Sequence, residues 1–228
     1  MAAAHAEHAC YEEALRSLGA TVVPAPPEPS LPDAVFVEDT ALVLDEVAVI
    51  TRPGASSRRP EIESITTLLQ EYRPLLRILA PGTLDGGDVL RVGRTVFVGL
   101  SSRTNAAAVS QLERLLGRWD YAVVPVEVNG CLHLKSAVTQ VAEGTLLINP
   151  RWVQPERFGQ MDMIAVAPAE PDAANALWIG DSVIFPAHFP ETAERLARDR
   201  LRVVPVPSTE FAKAEGGVTC CSLLFEVP

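Results

Sequence analysis

The sequence predicts an α/β protein built as a closed ring of strand–strand–helix–strand units. Three observations predict it. A β-rich run that stops at proline recurs as Val22-Val23-Pro24, Leu79-Ala80-Pro81, Val123-Val124-Pro125, Val166-Ala167-Pro168 and Val204-Pro205. A stretch with helical spacing lies before most of these runs, and two short strand-like runs lie before each such stretch. The whole phrase returns at roughly 45 residues, a period at which each unit hides its sheet by packing against the next.

The elements follow in order. The first unit reads as strands over residues 35–44 and 47–51, then an apolar stripe of Ile62, Ile65, Leu69 and Tyr72, with Pro60 where a first helical turn tolerates proline. The second reads as strands over 88–92 and 96–100 about a Gly93-Arg94 turn, then a stripe of Val109, Leu112, Leu116 and Trp119. In the third, strands over 135–142 and 146–149 flank Glu143-Gly144, and the segment 155–163 is a poor helix. In the fourth, strands over 177–179 and 183–185 flank Gly180-Asp181, and Pro190 opens a helix carrying Ala193, Leu196, Ala197 and Leu201. A fifth unit joins the termini. Residues 220–227 supply its first strand, and the N-terminal segment supplies its helix and last strand. Its second strand has no counterpart in the sequence. Either about 30 upstream residues are absent or the protein is a shortened variant, and the unpaired edge that results invites association, so a homodimer is among the expected states.

Composition bounds the function. The 228 residues are 48% hydrophobic, ample for a core, and one domain over 1–228 is expected. The formal net charge of −10 argues against nucleic acid or an anionic membrane as partner and suits a small cationic ligand. Cysteines 10, 131, 220 and 221 have neither metal-type nor disulfide-framework spacing, which reads as reduced thiols in a cytoplasmic protein. No basic-then-apolar leader is present, and no apolar run approaches the roughly 18 residues of a membrane helix.

Equivalent points of a ring of repeats converge on its axis. The starts of the first strands carry Glu38-Asp39, Asp85, His133, Asn175 and Cys220, separated by 46, 48, 42 and 45 residues. A thiolate nucleophile needs a proton shuttle, and the shuttle needs an orienting partner, roles that Cys220, His133 and Asp85 can fill. Glu38 and Asp39 are surplus to such a triad. They suit a planar cation, which two carboxylates hold through several N–H bonds. Strand alternation turns Cys221 away from Cys220, toward the core with Leu223 and Phe225. Asn175 matches the repeat without motif support and is left outside the site. Gly86-Gly87 reads as a strand bend or as small residues that let a substrate approach the backbone.

Six phrases in order then carry a resemblance: Ser30-Leu31-Pro32-Asp33 with Phe36-Val37-Glu38-Asp39; Ile50-Thr51-Arg52-Pro53-Gly54-Ala55 with Arg58-Arg59-Pro60; Thr83-Leu84-Asp85-Gly86-Gly87-Asp88-Val89; Phe97-Val98-Gly99-Leu100-Ser101 with Arg103-Thr104-Asn105; Leu132-His133-Leu134-Lys135-Ser136; and Thr219-Cys220-Cys221-Ser222. Together they make the chain resemble the dimethylarginine dimethylaminohydrolase family of the guanidine-modifying (pentein) superfamily. The resemblance implies a five-fold pseudosymmetric α/β propeller and hydrolysis of an N-methylated arginine to citrulline and an alkylamine. It implies Cys220 as nucleophile, His133 as general acid/base and Asp85 as the residue that orients it. By the same motif match Asp33, Glu38 and Asp39 hold the guanidinium, Arg58 and Arg103 bind the substrate's carboxylate, and no cofactor or metal is expected. A zinc ion bridging Cys220 and His133 would have too few protein ligands for a tight site and would read as an inhibitor. The competing readings are arginine deiminase or another guanidine hydrolase, and a catalytically weak relative acting as a binding protein because its second strand and the loop beside it are missing.

Overall fold

The computed structural model describes residues 2–227. The sequence reading expects one domain, whereas the chain divides into two compact units, Met1–Pro24 with Lys135–Thr219 and Ala25–Leu134 with Cys220–Pro228. Helix α1 (Ala2–Ser17) opens the chain. Four three-stranded sheets follow: β1 (Ala41–Val43), β2 (Ala48–Ile50) and β3 (Leu75–Arg77); β4 (Val89–Val92), β5 (Thr95–Leu100) and β6 (Ala122–Glu127); β7 (Val138–Ala142), β8 (Thr145–Ile148) and β9 (Asp162–Ala165); and β10 (Leu177–Ile179), β11 (Ser182–Pro186) and β12 (Arg202–Val206). In each sheet the second strand is central. It pairs antiparallel with the first strand and parallel with the third. Three of the crossovers that parallel pairing demands are helical or part-helical: α2 (Ile62–Leu69), α3 (Ala106–Leu116) and, beyond the single turn α4 (Leu134–Ala137), α5 (Pro190–Arg198). The weak third crossover is a 3-10 turn, Pro155–Phe158. A last turn, α6 (Thr209–Ala212), precedes the C-terminal segment.

The sequence pattern explains each helix. In α3, Val109, Leu112 and Leu116 are buried on one face, and Asn105 caps the N-terminus by accepting the Ala108 N–H at 3.0 Å. That face packs on Leu84, Val89, Val96 and Val98. In α5, Pro190 stands in the first turn and Leu196 is fully buried against Phe185 and Val183. The hairpin turns at Gly93, Gly144 and Gly180 all have positive φ, which suits a residue without Cβ.

Four expectations need correction. Residues 35–44 and 135–142 are not strands throughout: a 3-10 turn (Val37–Thr40) precedes β1, and the turn α4 precedes β7. Those turns release the backbone from the ladder where the site residues stand. Proline does not end the third strands. Pro125 and Pro205 lie inside β6 and β12 and pair with Val98 and Phe185. This is tolerated because the third strand is the outer one, so the missing N–H takes nothing from the ladder. Finally, residues 220–227 and 22–24 form no strand. In every sheet observed, the central second strand is what both outer strands pair with.

A repeated side-chain bond accompanies the repeated sheets. Near the start of a first strand, a side-chain oxygen accepts a backbone N–H from the corresponding place in the following repeat. Asp39 accepts from Gly87 at 2.9 Å, Asp88 from Leu134 at 2.9 Å, Thr139 from Ala176 at 3.1 Å and Asn175 from Thr219 at 3.0 Å. These bonds hold the irregular turns in which the functional residues lie.

Candidate active site

Every residue the sequence proposes for the site lies in the unit formed by Ala25–Leu134 and Cys220–Pro228. Asp39 and Asp85 are brought to His133 by short turns at the heads of β1 and β4, and His133 immediately precedes α4. His133 Nε2 is 3.1 Å from Asp85 Oδ2 and 3.9 Å from Asp39 Oδ1. Asp85 is wholly buried, and Asp39 and His133 nearly so. Burial alone would lower the pKa of His133. The Asp85 hydrogen bond and the charges of Asp39, Asp88 and Asp85 outweigh it and push the value up to about 9. At neutral pH the imidazole is therefore protonated on both nitrogens, with Nε2–H directed at Asp85.

Asp85 is itself fixed at three points. Its Oδ1 accepts the Gly54 N–H at 2.8 Å, its own N–H donates to Thr104 Oγ1 at 3.1 Å, and Arg103 Nη1 lies 3.9 Å from Oδ2. Glycine is required at two neighbours. A Cβ on Gly86 would collide with the Glu38 carbonyl, and a Cβ on Gly87 would lie 2.6 Å from His133 Nδ1 and 2.9 Å from Asp39 Oδ1. The glycine pair thus admits the protein's own backbone and imidazole, a cause distinct from both readings of it in the sequence.

Asp39 shows the opposite balance. Burial would raise its pKa, but His133, Arg58 and the Gly87 N–H hold it below the usual 3.8. Arg58, which the resemblance assigns to the substrate's carboxylate, is held in this structure by the protein itself. It is buried, and nearly all of its donors go to the protein: Nε to both Glu61 carboxylate oxygens at 3.1 and 3.0 Å, Nη2 to Glu61 and to the carbonyls of Asp33 and Phe36, and Nη1 to Asp39. Glu61 was not anticipated. Its place three residues after Arg58, on one helical face, is the signal that finds it. Arg103, about one-third exposed, has its backbone N–H on Ser101 Oγ at 3.0 Å.

The nucleophile candidate is tied to the same turn. The Cys220 carbonyl accepts the Glu38 N–H at 3.1 Å, one residue from Asp39. Cys220 is partly exposed. Its neighbour Cys221 has its thiol pushed up to about 12 by burial and by the Glu38 charge, so it stays protonated. Leu223 and Phe225 pack on the core of the first sheet, the side expected for them. The Asp33 side chain makes no hydrogen bond or ion pair among the described residues and is half-buried. Asn175, set aside in the sequence, accepts the Thr219 N–H and donates to the Thr219 hydroxyl at 3.0 Å and to the Lys135 carbonyl at 3.1 Å. Asp39, Asp85 and His133 form the one cluster among the described residues whose ligand atoms lie within 4.8 Å of one another.

Residues 1–157 match the family model described as N,N dimethylarginine dimethylhydrolase, eukaryotic. The chain belongs to the dimethylarginine dimethylaminohydrolase family. It is 38% identical over 221 residues to the N(G),N(G)-dimethylarginine dimethylaminohydrolase of Pseudomonas aeruginosa, covering 96% of this chain and 87% of that one. It is 41% identical over 215 residues to the Streptomyces coelicolor protein of the same name, covering 93% and 82%. Among solved structures, the Pseudomonas aeruginosa protein, as a cysteine-to-serine mutant complexed with citrulline, superposes with a TM-score of 0.95 at 37% identity, covering 98% of this chain and 89% of that one. No helix among the described residues is long and apolar enough to cross a membrane.

Proposed function

We propose that this protein hydrolyses an Nω-methylated arginine to citrulline and an alkylamine through a covalent intermediate on Cys220. The observation that carries the reading is the His133–Asp85–Asp39 cluster, in which an imidazolium is held against two carboxylates in a chain of this family. Because the pKa of His133 is raised to about 9, it enters the reaction as an acid, and the Cys220 proton leaves to solvent. The Cys220 thiolate attacks the guanidinium carbon and forms a C–S bond. The C–N bond to the substituted nitrogen then breaks as that nitrogen takes the His133 proton, and the amine departs. Water attacks the resulting thiouronium carbon and gives a proton to His133. The C–S bond breaks as the added hydroxyl passes its proton to the leaving sulfur, which releases citrulline and returns Cys220 as a thiol.

Charge orders the steps. Glu38 and Asp39 disfavour a second anion nearby, so Cys220 is protonated in the free enzyme and ionises when the guanidinium arrives. Asp39, with Glu38 and Asp33, receives that guanidinium. Arg58, held in place by Glu61, and Arg103 are the cations offered to the substrate's carboxylate. The four repeated sheets, with the common strand order first–second–third, support a five-unit propeller as the frame. A small guanidine compound is the partner this site takes, with no resident cofactor called for. The test is acid-quench mass spectrometry after mixing with S-methyl-L-thiocitrulline or a methylated arginine. The expected result is an adduct on the peptide that contains Cys220, and on no other cysteine. In parallel, alkylation of Cys220 followed against pH should speed up at neutral pH when an inert guanidinium is added. A free-enzyme thiol pKa clearly below 7, or an adduct confined to another cysteine, contradicts the mechanism.

A further inference from the structure

Asp88 is a buried carboxylate that the reaction described above does not use. It has no exposed surface, and a Cβ on Gly99 would lie 2.7 Å from its Oδ1. Two donors converge on it. Oδ1 accepts the N–H of Leu134, the residue after His133, at 2.9 Å. Oδ2 accepts the Ser101 hydroxyl at 2.6 Å. The Ser101 and Thr104 hydroxyl oxygens in turn accept backbone N–H groups of site residues or their neighbours. Ser101 Oγ takes the N–H of Arg103 at 3.0 Å and of Thr104 at 3.3 Å, and Thr104 Oγ1 takes the N–H of Asp85 at 3.1 Å.

The donor arithmetic fixes the polarity of this web. Ser101 Oγ accepts two N–H groups, so its lone pairs are used and its single hydrogen points at Asp88. Thr104 joins through its backbone N–H on Ser101 Oγ and carries the web on to Asp85, whose N–H its hydroxyl oxygen accepts. An acceptor-only group satisfies the Ser101 hydroxyl and the Leu134 N–H together. One buried carboxylate therefore stands one bond from the segment of His133, two from that of Arg103 and three from that of Asp85.

We propose that Asp88 is a positioning residue for the reaction, the common hub that sets His133, Asp85 and Arg103 in register through Leu134, Thr104 and Ser101. This rests on the methylarginine-hydrolase reading for the roles of those three residues. The two arms of the hub have separate consequences. The Leu134 arm serves His133, and the Ser101 arm serves Arg103, the cation that faces the substrate's carboxylate, and reaches Asp85 through Thr104. Asp88 also adds its charge to the field at His133. The other charged groups there are Asp85 and Asp39, with Arg58 on Asp39 and Arg103 3.9 Å from Asp85.

The experiment compares Asp88→Asn, Ser101→Ala and Thr104→Val in the full chain. It reads kcat and KM for a methylated arginine, the His133 titration by NMR (assigned with His133→Gln) and thermal unfolding. Asp88→Asn keeps the shape but must turn its NH2 group toward either the Ser101 hydroxyl hydrogen or the Leu134 N–H. It should lower kcat by about 10²-fold, the scale of a misplacement near 1 Å, and bring the His133 titration down. Ser101→Ala should raise KM while the His133 titration stays in place, and Thr104→Val should lower kcat with KM held. A folded Asp88→Asn with kcat within about twofold of the parent and an unmoved His133 titration overturns the proposal. If Asp88→Asn does not fold, the other two variants decide. Losses that are equal in kcat and KM and simply follow thermal stability overturn it. If the parent chain releases no citrulline, the hydrolase reading fails by itself, and the His133 titration in Asp88→Asn still tests the hub.

Discussion

Gly87 has no side chain because the His133 imidazole and the Asp39 carboxylate occupy the place a Cβ would need. Gly87→Ala should therefore leave the chain folded but shift both groups, lowering kcat by at least about tenfold, measured beside an unchanged far-ultraviolet spectrum. The raised pKa of His133 is equally a statement about stability. Its folded value of about 9 lies above the ordinary 6.5, so the folded state binds the proton more tightly than the unfolded chain. That contribution is whole below pH 6.5 and is lost as pH rises through about 9. Tm measured across this window should fall, and His133→Gln should flatten the fall. Asp39 works with the opposite sign. Its pKa is held below 3.8, so its contribution is present above that pH and is lost only in acid. At this scale the sequence exposes Cys220, His133, Asp85 and Asp39, because residue type and repeat position are both visible there. Asp88, Thr104 and Ser101 are hidden in it. Their meaning lies in bonds to partners 13 to 46 residues away, and no local pattern encodes those.

Among the elements, strand order separates the described sheets from the C-terminal segment. The second strands β2, β5, β8 and β11 pair on both sides, whereas residues 222–227 pair in no ladder, and Leu224 and Val227 are exposed. Hydrogen exchange should find the amides of the second strands slowest and those of Leu223–Val227 among the fastest outside the loops. Equal protection in the two sets would show that the segment pairs after all. Arg58 and Glu61 belong to the 3-10 turn that leads into α2, and Glu61 holds the guanidinium from below. Glu61→Gln weakens that hold, so its expected effect is a raised KM with a smaller change in kcat, read by steady-state kinetics. The hairpins, the helices and the 45-residue repeat were legible because turn glycines and apolar stripes are local signals. The turns at Val37–Thr40 and Leu134–Ala137 were not. They arise where backbone N–H groups bond to partners far along the chain, Glu38 to the Cys220 carbonyl and Leu134 to the Asp88 carboxylate.

For the whole molecule, a formal net charge of −10 and buried carboxylates at the site imply that a cationic substrate is drawn in. The ratio kcat/KM should fall with added salt, as screening over about 10 Å at 0.1 M shortens the reach of that field, whereas a neutral guanidine-like probe should show little dependence. The α/β class and the order of the repeats were readable because four units carry the same signals. The part that was misjudged is the strand reading of residues 22–24 and 220–227, which pair in no ladder. The measurement that bears most directly on the account is citrulline release from asymmetric dimethylarginine, compared with arginine, by this chain and by Cys220→Ser. Release from dimethylarginine in preference to arginine, abolished by Cys220→Ser, is the predicted result. Release from arginine alone, or release that survives Cys220→Ser, would contradict it.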